Sequence, residues 1–294
     1  MNLVRLLGCI LVGFGLPIAV VARFVVQRSV LFLLLVASAF WALAPTLLSS
    51  CLWIAIAPLK SSYVFHILFG VAFQEACRWA MLAGYIRMEK QLISIAPQEH
   101  NLALNDAPSS IVLGTGYGTM LAIIQCGGII AQAWQQGALF LASCSALSVY
   151  DMATAQALIL TATHAAAGVL LLEAYRKGSL LHYAAVLALR TGVSLASLAN
   201  TPAVNAAAPD SCVASIPSQL LLAGALCMWA WFTLRGEQYT GYLAARSWAQ
   251  QQAARTQQSA AQADWQAAHG SRGPLEGVEL TRAILRPAAV TGAE

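Results

Sequence analysis

Long apolar runs alternate with short polar connections along the first 235 residues. About 20 apolar residues in a helix cross the hydrocarbon core of a bilayer. The pattern therefore predicts seven transmembrane helices, at about residues 3–22, 30–57, 63–86, 109–133, 149–174, 179–199 and 214–234. We expect an all-α, polytopic membrane protein with one transmembrane domain over residues 1–235.

The first run differs from a signal peptide, although only Arg5 precedes its apolar residues. It is longer than a typical signal core, and Arg23 and Arg28 follow it directly. These flanks favour a retained helix, with a signal peptide as the alternative.

Basic residues in the connections predict the orientation of the helices, because cytosolic loops carry an excess of Lys and Arg. Only Arg5 and Lys60 lie on the N-terminal side. The opposite side carries Arg23, Arg28, Arg87, Lys90, Arg176, Lys177 and Arg235. We predict a lumenal or extracellular N-terminus and a cytosolic C-terminus. The Ala- and Gln-rich tail, residues 236–294, is expected to be mostly disordered.

Composition excludes other classes of protein. The chain is 59% hydrophobic and 10% charged, whereas soluble domains carry about 25% charged residues. The net charge of +4 arises from short loops, and no basic stripe indicates nucleic-acid binding.

Charged residues lie in the middle of three predicted spans. The third contains Gln74, Glu75 and Arg78, the fifth His164, and the sixth Arg190. A central Arg or Asp costs roughly 2.5–3.5 kcal/mol on insertion scales. We therefore expect these side chains to face one another or a wet cavity.

Glu75 and Arg78 are three residues apart and share one helical face. We favour a structural ion pair over a catalytic role, and Gln74 points sideways toward a neighbouring helix. If Arg78 uses Glu75, then Arg190 is surplus positive charge. We therefore hypothesise that Arg190 and His164 line a cavity for an acidic or C-terminal group.

The sequence predicts no cofactor and no metal. His164 has no second His or Cys at metal-ligand spacing. No span carries the Gly-x-Ser-x-Gly of a rhomboid-like protease or the motifs of an intramembrane aspartyl protease, and the seventh span has no Lys for retinal.

Small residues recur at every fourth position of the fourth span, at Gly114, Gly118 and Ala122. Such a face lets another backbone approach closely. The partner is either a helix of the same chain or a helix of another subunit, and the pattern leaves both open.

Two cysteines, Cys144 and Cys212, lie in predicted loops on the non-cytosolic side. We favour two free thiols there. A lumenal disulfide between them is the alternative, since that compartment is oxidising.

Four stretches together form the pattern of one known family. They are Phe14-Gly15-x-Pro17, Phe73-Gln74-Glu75-Ala76-Cys77-Arg78-Trp79-Ala80, Gly114-x-x-x-Gly118-x-x-x-Ala122, and His164-x-x-x-Gly168 followed by Glu173-Ala174 and Arg176-Lys177. With them the chain resembles the anterior-pharynx-defective (Aph) family, the seven-span subunit of gamma-secretase.

The resemblance implies a non-catalytic scaffold that assembles presenilin and nicastrin, with a presenilin-enhancer-like small subunit in the same complex. It further implies Notch-type or amyloid-precursor-type processing, and residence from the endoplasmic reticulum and Golgi to the plasma membrane or endosomes. In the family the glycine face supports assembly, a role that would pass to Gly114, Gly118 and Ala122. The family's sixth-span His corresponds to Arg190, which keeps a positive donor but cannot titrate near neutral pH.

An enzyme is the main alternative. An intramembrane protease of the CAAX-processing type would use Glu75 as general base and His164 as metal ligand or oxyanion donor. Such enzymes carry a doubled Glu where this chain has Gln74-Glu75, and their second His is not evident here. A seven-span receptor ranks lowest, because no signalling motif is recognisable at the cytosolic ends.

Overall fold

A computed structural model describes residues 3–26, 28–56, 62–95, 106–135, 139–141, 144–200 and 212–236. Within these residues the chain forms seven long helices and one short hairpin. The elements are α1 (Leu3–Val20, continued by a π-helical turn, Val21–Val25), α2 (Ser29–Ala55), α3 (Tyr63–Ile95), α4 (Asp106–Ala122, continued by a π-helical turn, Ile123–Gly127, and short helical turns to Trp134), β1 (Phe140–Leu141), β2 (Cys144–Ser148), α5 (Val149–Lys177), α6 (Leu180–Ala196, continued by a 3-10 turn, Ser197–Asn200) and α7 (Cys212–Gly236). The predicted tail beyond Gly236 lies outside the described residues.

Six of these helices are long and apolar enough to cross a membrane: α1, α2, α4, α5, α6 and α7. α3 has 33 residues and is long enough. Its apolar character is interrupted by Gln74, Glu75 and Arg78. The helical, polytopic class is thus confirmed, while the seventh span and the orientation stay predictions.

The segment before α5 adds a short hairpin and corrects one expectation. β1 and β2 pair antiparallel, with Phe140 opposite Ser148 and Leu141 opposite Cys144, and the described chain is otherwise helical. Cys144 forms a disulfide with Cys212 at the start of α7, where two free thiols were favoured. Strands this short leave no readable periodicity, and sequence spacing does not show which loops meet in space.

The end of the hairpin is also the start of α5. The Ser148 hydroxyl accepts a hydrogen bond from the Asp151 amide, 3.3 Å, as an N-cap. Arg5 of α1 donates to Ser148 Oγ, 2.5 Å, and lies 3.5 Å from the Asp151 carboxylate. These contacts join the first residues of α1 and α5.

The other end of α5 turns sharply into α6. Gly178 has φ +62°, a left-handed conformation that favours glycine. Ser179 then caps α6 by accepting a hydrogen bond from the His182 amide, 3.3 Å. This tight turn makes α5 and α6 antiparallel neighbours and brings Arg190 beside His164.

α4 packs between α5 and α2, and glycines allow both contacts. A Cβ built on Gly114 would lie 2.6 Å from the His164 carbonyl oxygen, and one on Gly118 would lie 2.6 Å from His164 Cβ. A Cβ on Gly116 would overlap Leu35 and Ser38 of α2. The small-residue face, Ala122 included, is buried within this chain, as the intramolecular alternative predicts.

Candidate functional site: a buried polar cluster

The predicted intramembrane polar residues converge between α3, α4, α5 and α6. The relative exposure is 3% for Glu75, 1% for Arg78, 0% for His164 and 2% for Arg190. Gln74 is partly buried beside them. We call the polar cluster the set Gln74, Glu75, Arg78, Tyr117, His164, Tyr183 and Arg190.

Glu75 pairs with Arg78, as expected, and more closely with Arg190, which was not expected. Glu75 Oε1 forms its close ion pair with Arg190 Nη1 of α6. Arg78 Nε lies 3.9 Å from the same oxygen, at the outer limit of an ion pair. Residues three apart on a helix share a face, but a facing helix can offer its guanidinium end-on to the carboxylate. Arg190 is therefore not surplus, because it is the main partner of Glu75.

Gln74 does reach a neighbouring helix. Arg190 Nη2 donates a hydrogen bond to Gln74 Oε1, 2.9 Å. Arg190 thereby connects α6 to two successive residues of α3. An amide and a carboxylate held by one guanidinium fix both the spacing and the rotation of the two helices.

His164 lies between the two guanidinium groups. Its Nδ1 contacts Arg78 Nη2, and its Nε2 lies 3.2 Å from Arg190 Nη2. Every nitrogen-bound hydrogen of Arg is a donor, whereas a neutral imidazole has one acceptor nitrogen and one donor nitrogen. His164 can therefore accept from Arg78 or from Arg190, but not from both at once.

Counting charges also shows an excess of guanidinium donors over acidic acceptors in the polar cluster. The described residues supply one carboxylate, Glu75, against two guanidinium groups. With His164 neutral, the polar cluster carries one net positive charge inside the helix bundle. A buried charge of this kind is stabilised by a further acceptor or by polarisable neighbours.

Tyr117 of α4 supplies part of that stabilisation and was missed by the sequence reasoning. The Arg78 guanidinium carbon lies 4.6 Å from the centre of the Tyr117 ring, a cation–π contact. The Tyr117 hydroxyl donates to the Gln74 carbonyl, 3.1 Å. A tyrosine between Gly116 and Gly118 in an apolar span was the available signal, since a buried hydroxyl needs a partner.

Tyr183 of α6 was also missed. Its hydroxyl donates to the Glu75 backbone carbonyl, 3.3 Å, on the side of α3 that faces α6. The side chain is partly buried. Tyr183 lies seven residues before Arg190, two helical turns along the same face of α6. This spacing could have indicated that both side chains face α3.

The glycine face and the polar cluster are mechanically connected. Gly118 packs against the Cβ of His164, and Gly114 packs against the backbone at His164 and Ala165. Larger residues at these positions would move α4 away from α5. The Tyr117 ring would then leave Arg78 and His164, whose ring centre is 5.3 Å from that of Tyr117.

A second group of charges lies near the ends of α3 and α5 that we predict to be cytosolic. Arg176 Nη2 donates to both Glu89 oxygens, at 2.9 and 2.8 Å. Glu173 pairs with Lys177 one turn away and lies 3.9 Å from His182 of α6. These pairs join the helix ends outside the polar cluster.

The geometry limits the chemistry of the polar cluster. Glu75 and both ring nitrogens of His164 are in contact with guanidinium groups. In the part of the chain that is described, no three of His, Cys, Asp and Glu converge as a metal site would require. The arrangement is suited to holding helices together and to binding an acceptor group.

These features define a class: a polytopic helical membrane protein whose inner helices are joined through a buried, net-positive cluster. A sequence profile described as Aph-1 protein matches residues 4–237, and the chain belongs to the Aph-1 family. It is 28% identical over 200 residues to the gamma-secretase subunit Aph-1 of Drosophila melanogaster. That alignment covers 68% of this chain and 83% of the relative. The resemblance noted in the sequence is confirmed.

Proposed function

We propose that this chain is a non-catalytic scaffold subunit of a gamma-secretase-type intramembrane protease complex. It assembles and stabilises presenilin-like and nicastrin-like subunits, with a presenilin-enhancer-like small subunit in the same complex. The family membership and the name of the Drosophila relative support a role as a complex subunit. The chemistry of the polar cluster supports the non-catalytic, scaffolding part.

The contacts of Glu75 are the observation that carries this proposal. Its carboxylate is paired with a guanidinium from another helix, and the Arg190 that pairs with it also binds Gln74. Replacing a whole buried ion pair by apolar groups is often neutral, whereas removing one partner is strongly destabilising. We infer that in this chain the pair fixes which helices meet and in what register. A scaffold needs this property, because its outer surface must be presented to partners in one arrangement.

The same contacts argue against the CAAX-type protease. That mechanism needs Glu75 free to take a proton from water and His164 free to bind a metal or an oxyanion. Both groups are nearly inaccessible within the described chain and are already in contact with arginines. A catalytic role would require the polar cluster to be taken apart first.

The surplus donor in the polar cluster suggests how a partner is recognised. His164 satisfies one guanidinium, so a carboxylate from a presenilin-like subunit, in a side chain or at a C-terminus, would satisfy the other. Since the residues are buried, the polar cluster must open toward the partner during assembly. This keeps the original hypothesis of an acidic ligand but makes Arg78, with Arg190, its receptor.

The orientation and location belong to the same proposal. We infer a lumenal or extracellular N-terminus, a cytosolic C-terminus and seven spans, with α3 as the seventh. The predicted route is assembly in the endoplasmic reticulum and residence from the Golgi to the plasma membrane or endosomes. Notch-type and amyloid-precursor-type proteins are the proposed substrates of the assembled complex.

Affinity purification of the tagged full chain in mild detergent tests the proposal. We expect presenilin-like and nicastrin-like subunits to be recovered with the wild-type chain and with Arg235→Leu, a control at an exposed position. Arg190→Leu should lose them, because Glu75 is left buried without its partner. Size-exclusion chromatography reports whether the variant chain is still folded. Recovery of the wild-type chain alone would contradict the proposal.

A further inference from the structure

A groove on the outer surface of the bundle runs between α1 and α4. Its lining comes from α1 and the residue that follows its π-helical turn, and from α4: Phe14, Pro17, Ile18, Val21, Ala22, Val26, Thr119 and Ile123. Its volume is about 510 Å³, within the range of ligand pockets, about 300–1,000 Å³. The π-helical turn of α1 lies along it, where the extra residue in the turn widens the helix.

The groove is apolar along its length. The one polar group of its lining, the Thr119 hydroxyl, donates to the Thr115 carbonyl, 2.7 Å, and is thereby satisfied. Ile18, Val26 and Ile123 are exposed in the described chain. In a membrane this surface contacts hydrocarbon, so an acyl chain is a chemically matched occupant.

The length of the groove corresponds to one leaflet. Phe14 and Val26 are twelve residues apart, and a helical rise of 1.5 Å per residue places them about 18 Å apart. Half the thickness of the hydrocarbon core is about 15 Å. The groove therefore extends from near the bilayer centre, at Phe14, to one interface, at Val26.

Positive charge lies at the interfacial end and not at the other. Arg23 and Arg28 flank Val26, and both side chains are exposed. Arg23 contacts the ring of Phe24, 5.7 Å. Neither arginine has a carboxylate partner among the residues whose structure is described. Two arginines at an interface attract a phosphate group.

We propose that the α1/α4 groove binds one acyl chain of an anionic phospholipid, whose phosphate is held by Arg23 and Arg28. An apolar transmembrane helix of another subunit would cover the lining but would bring no counter-ion for the two arginines. An anionic phospholipid provides both an acyl chain for the apolar lining and a phosphate for the two arginines. With the orientation proposed above, the lipid belongs to the cytosolic leaflet, the leaflet in which anionic lipids are concentrated.

Photo-crosslinking tests this site on the full chain in nanodiscs. One set contains photoactivatable phosphatidylserine in a phosphatidylcholine background, and the other contains photoactivatable phosphatidylcholine. Proteolysis and mass spectrometry then locate the labelled peptides. We expect phosphatidylserine to label the α1 peptide containing Phe14–Val26 more strongly than phosphatidylcholine does.

Two kinds of variant test the phosphate contact and the acyl-chain groove separately. Arg23→Gln and Arg28→Gln should each weaken phosphatidylserine labelling about five-fold, from the contribution of one arginine at an anionic surface. Ala22→Phe should block the groove and reduce labelling without a change of charge. The matched controls are Arg87→Gln and Ala80→Phe, exposed positions on α3, which should label like the wild type.

Several results would overturn the site. They are equal labelling of α1 by both lipids, labelling that survives loss of both arginines, or an equal effect of Arg87→Gln. Labelling seen with the isolated chain but absent in the assembled complex would show that a partner helix occupies the groove. None of these results depends on whether the chain is a scaffold, because the readout is the lipid itself.

Discussion

Two helices approach each other closely where Gly114 of α4 faces Gly168 of α5, and this contact gives a stability prediction that can be worked from the distances. A Cβ on Gly168 would lie 2.7 Å from Gly114 Cα and 2.7 Å from the Ser110 carbonyl oxygen. A Cβ on Gly114 would lie 2.6 Å from the His164 carbonyl oxygen. These neighbours are backbone atoms, so no rotamer change relieves the overlap and the helices must separate.

The magnitude follows from comparison with a glycine in open space. Gly84, in the middle of α3, has no heavy atom within 4 Å of a built Cβ. Gly84→Ala should stabilise the chain by about 0.5–1 kcal/mol, since alanine favours the helix. Gly114→Ala and Gly168→Ala gain the same term but overpack the interface. The difference from Gly84→Ala is therefore about 1–3 kcal/mol.

The double variant adds a second test. Once Gly114→Ala has moved the helices apart, Gly168→Ala meets less resistance, so the double variant should be destabilised by less than the sum of the singles. Thermal unfolding of the purified full chain in detergent, followed by size-exclusion chromatography, measures all four. Similar midpoints for Gly114→Ala and Gly84→Ala would refute the packing argument, as would additivity in the double variant.

Three further outcomes follow from other contacts. In denaturant without reductant, a maleimide should label five of the seven cysteines, and Cys144→Ser with Cys212→Ser should lower stability by about 2–4 kcal/mol; labelling of all seven would contradict the disulfide. Glu89→Gln should cost about 1–3 kcal/mol through its bonds to Arg176, whereas Lys90→Gln, exposed on the same helix, should change little; equal effects would contradict a structural role for that pair. A glycosylation acceptor fused to the N-terminus should be modified in endoplasmic-reticulum membranes and one fused to the C-terminus should not; the reverse result would invert the proposed orientation.

The helical framework could be predicted closely from the sequence, because apolar length is a direct physical requirement of the bilayer. The second run was expected at residues 30–57 and forms Ser29–Ala55, and the seventh was expected at 214–234 and forms Cys212–Gly236. The third was expected to end at residue 86, but α3 continues to Ile95. Hydropathy locates the apolar part of a helix and not its polar continuation.

The sequence also predicted which charged residues form the polar cluster, but not which two of them form the closest ion pair. Charges in apolar spans must find partners, which identified Glu75, Arg78, His164 and Arg190. Local spacing correctly indicated the pair of Glu75 with Arg78. That Arg190 comes closer to Glu75 depends on the rotation of α6 against α3, which the spacing does not show. Tyr117 and Tyr183 were overlooked because aromatic rings are common in apolar runs. Only the need of each buried hydroxyl for a hydrogen-bond partner indicates a place in the polar cluster.

The same distinction applies to the glycine face of α4. The four-residue spacing correctly indicated close backbone packing, but it does not state whose backbone approaches. The structure places α5 of the same chain there. Bulky substitutions at Gly114 or Gly118 would therefore disturb the fold of this chain first, and loss of a complex in such variants would not locate a subunit contact.

The central claim is that Glu75 holds helices together and performs no chemistry, and one variant tests it directly. Glu75→Gln and Arg190→Gln each leave a buried charge without its closest partner, a loss of up to about 3–5 kcal/mol. The combined variant replaces this ion pair with two neutral amides that can bond to each other. In cells lacking the endogenous chain, proteolysis of a Notch-type substrate should be impaired by each single change and largely restored by the pair. A double variant that assembles with its partners yet shows no proteolysis, like Glu75→Gln alone, would contradict the account and make Glu75 a catalytic residue.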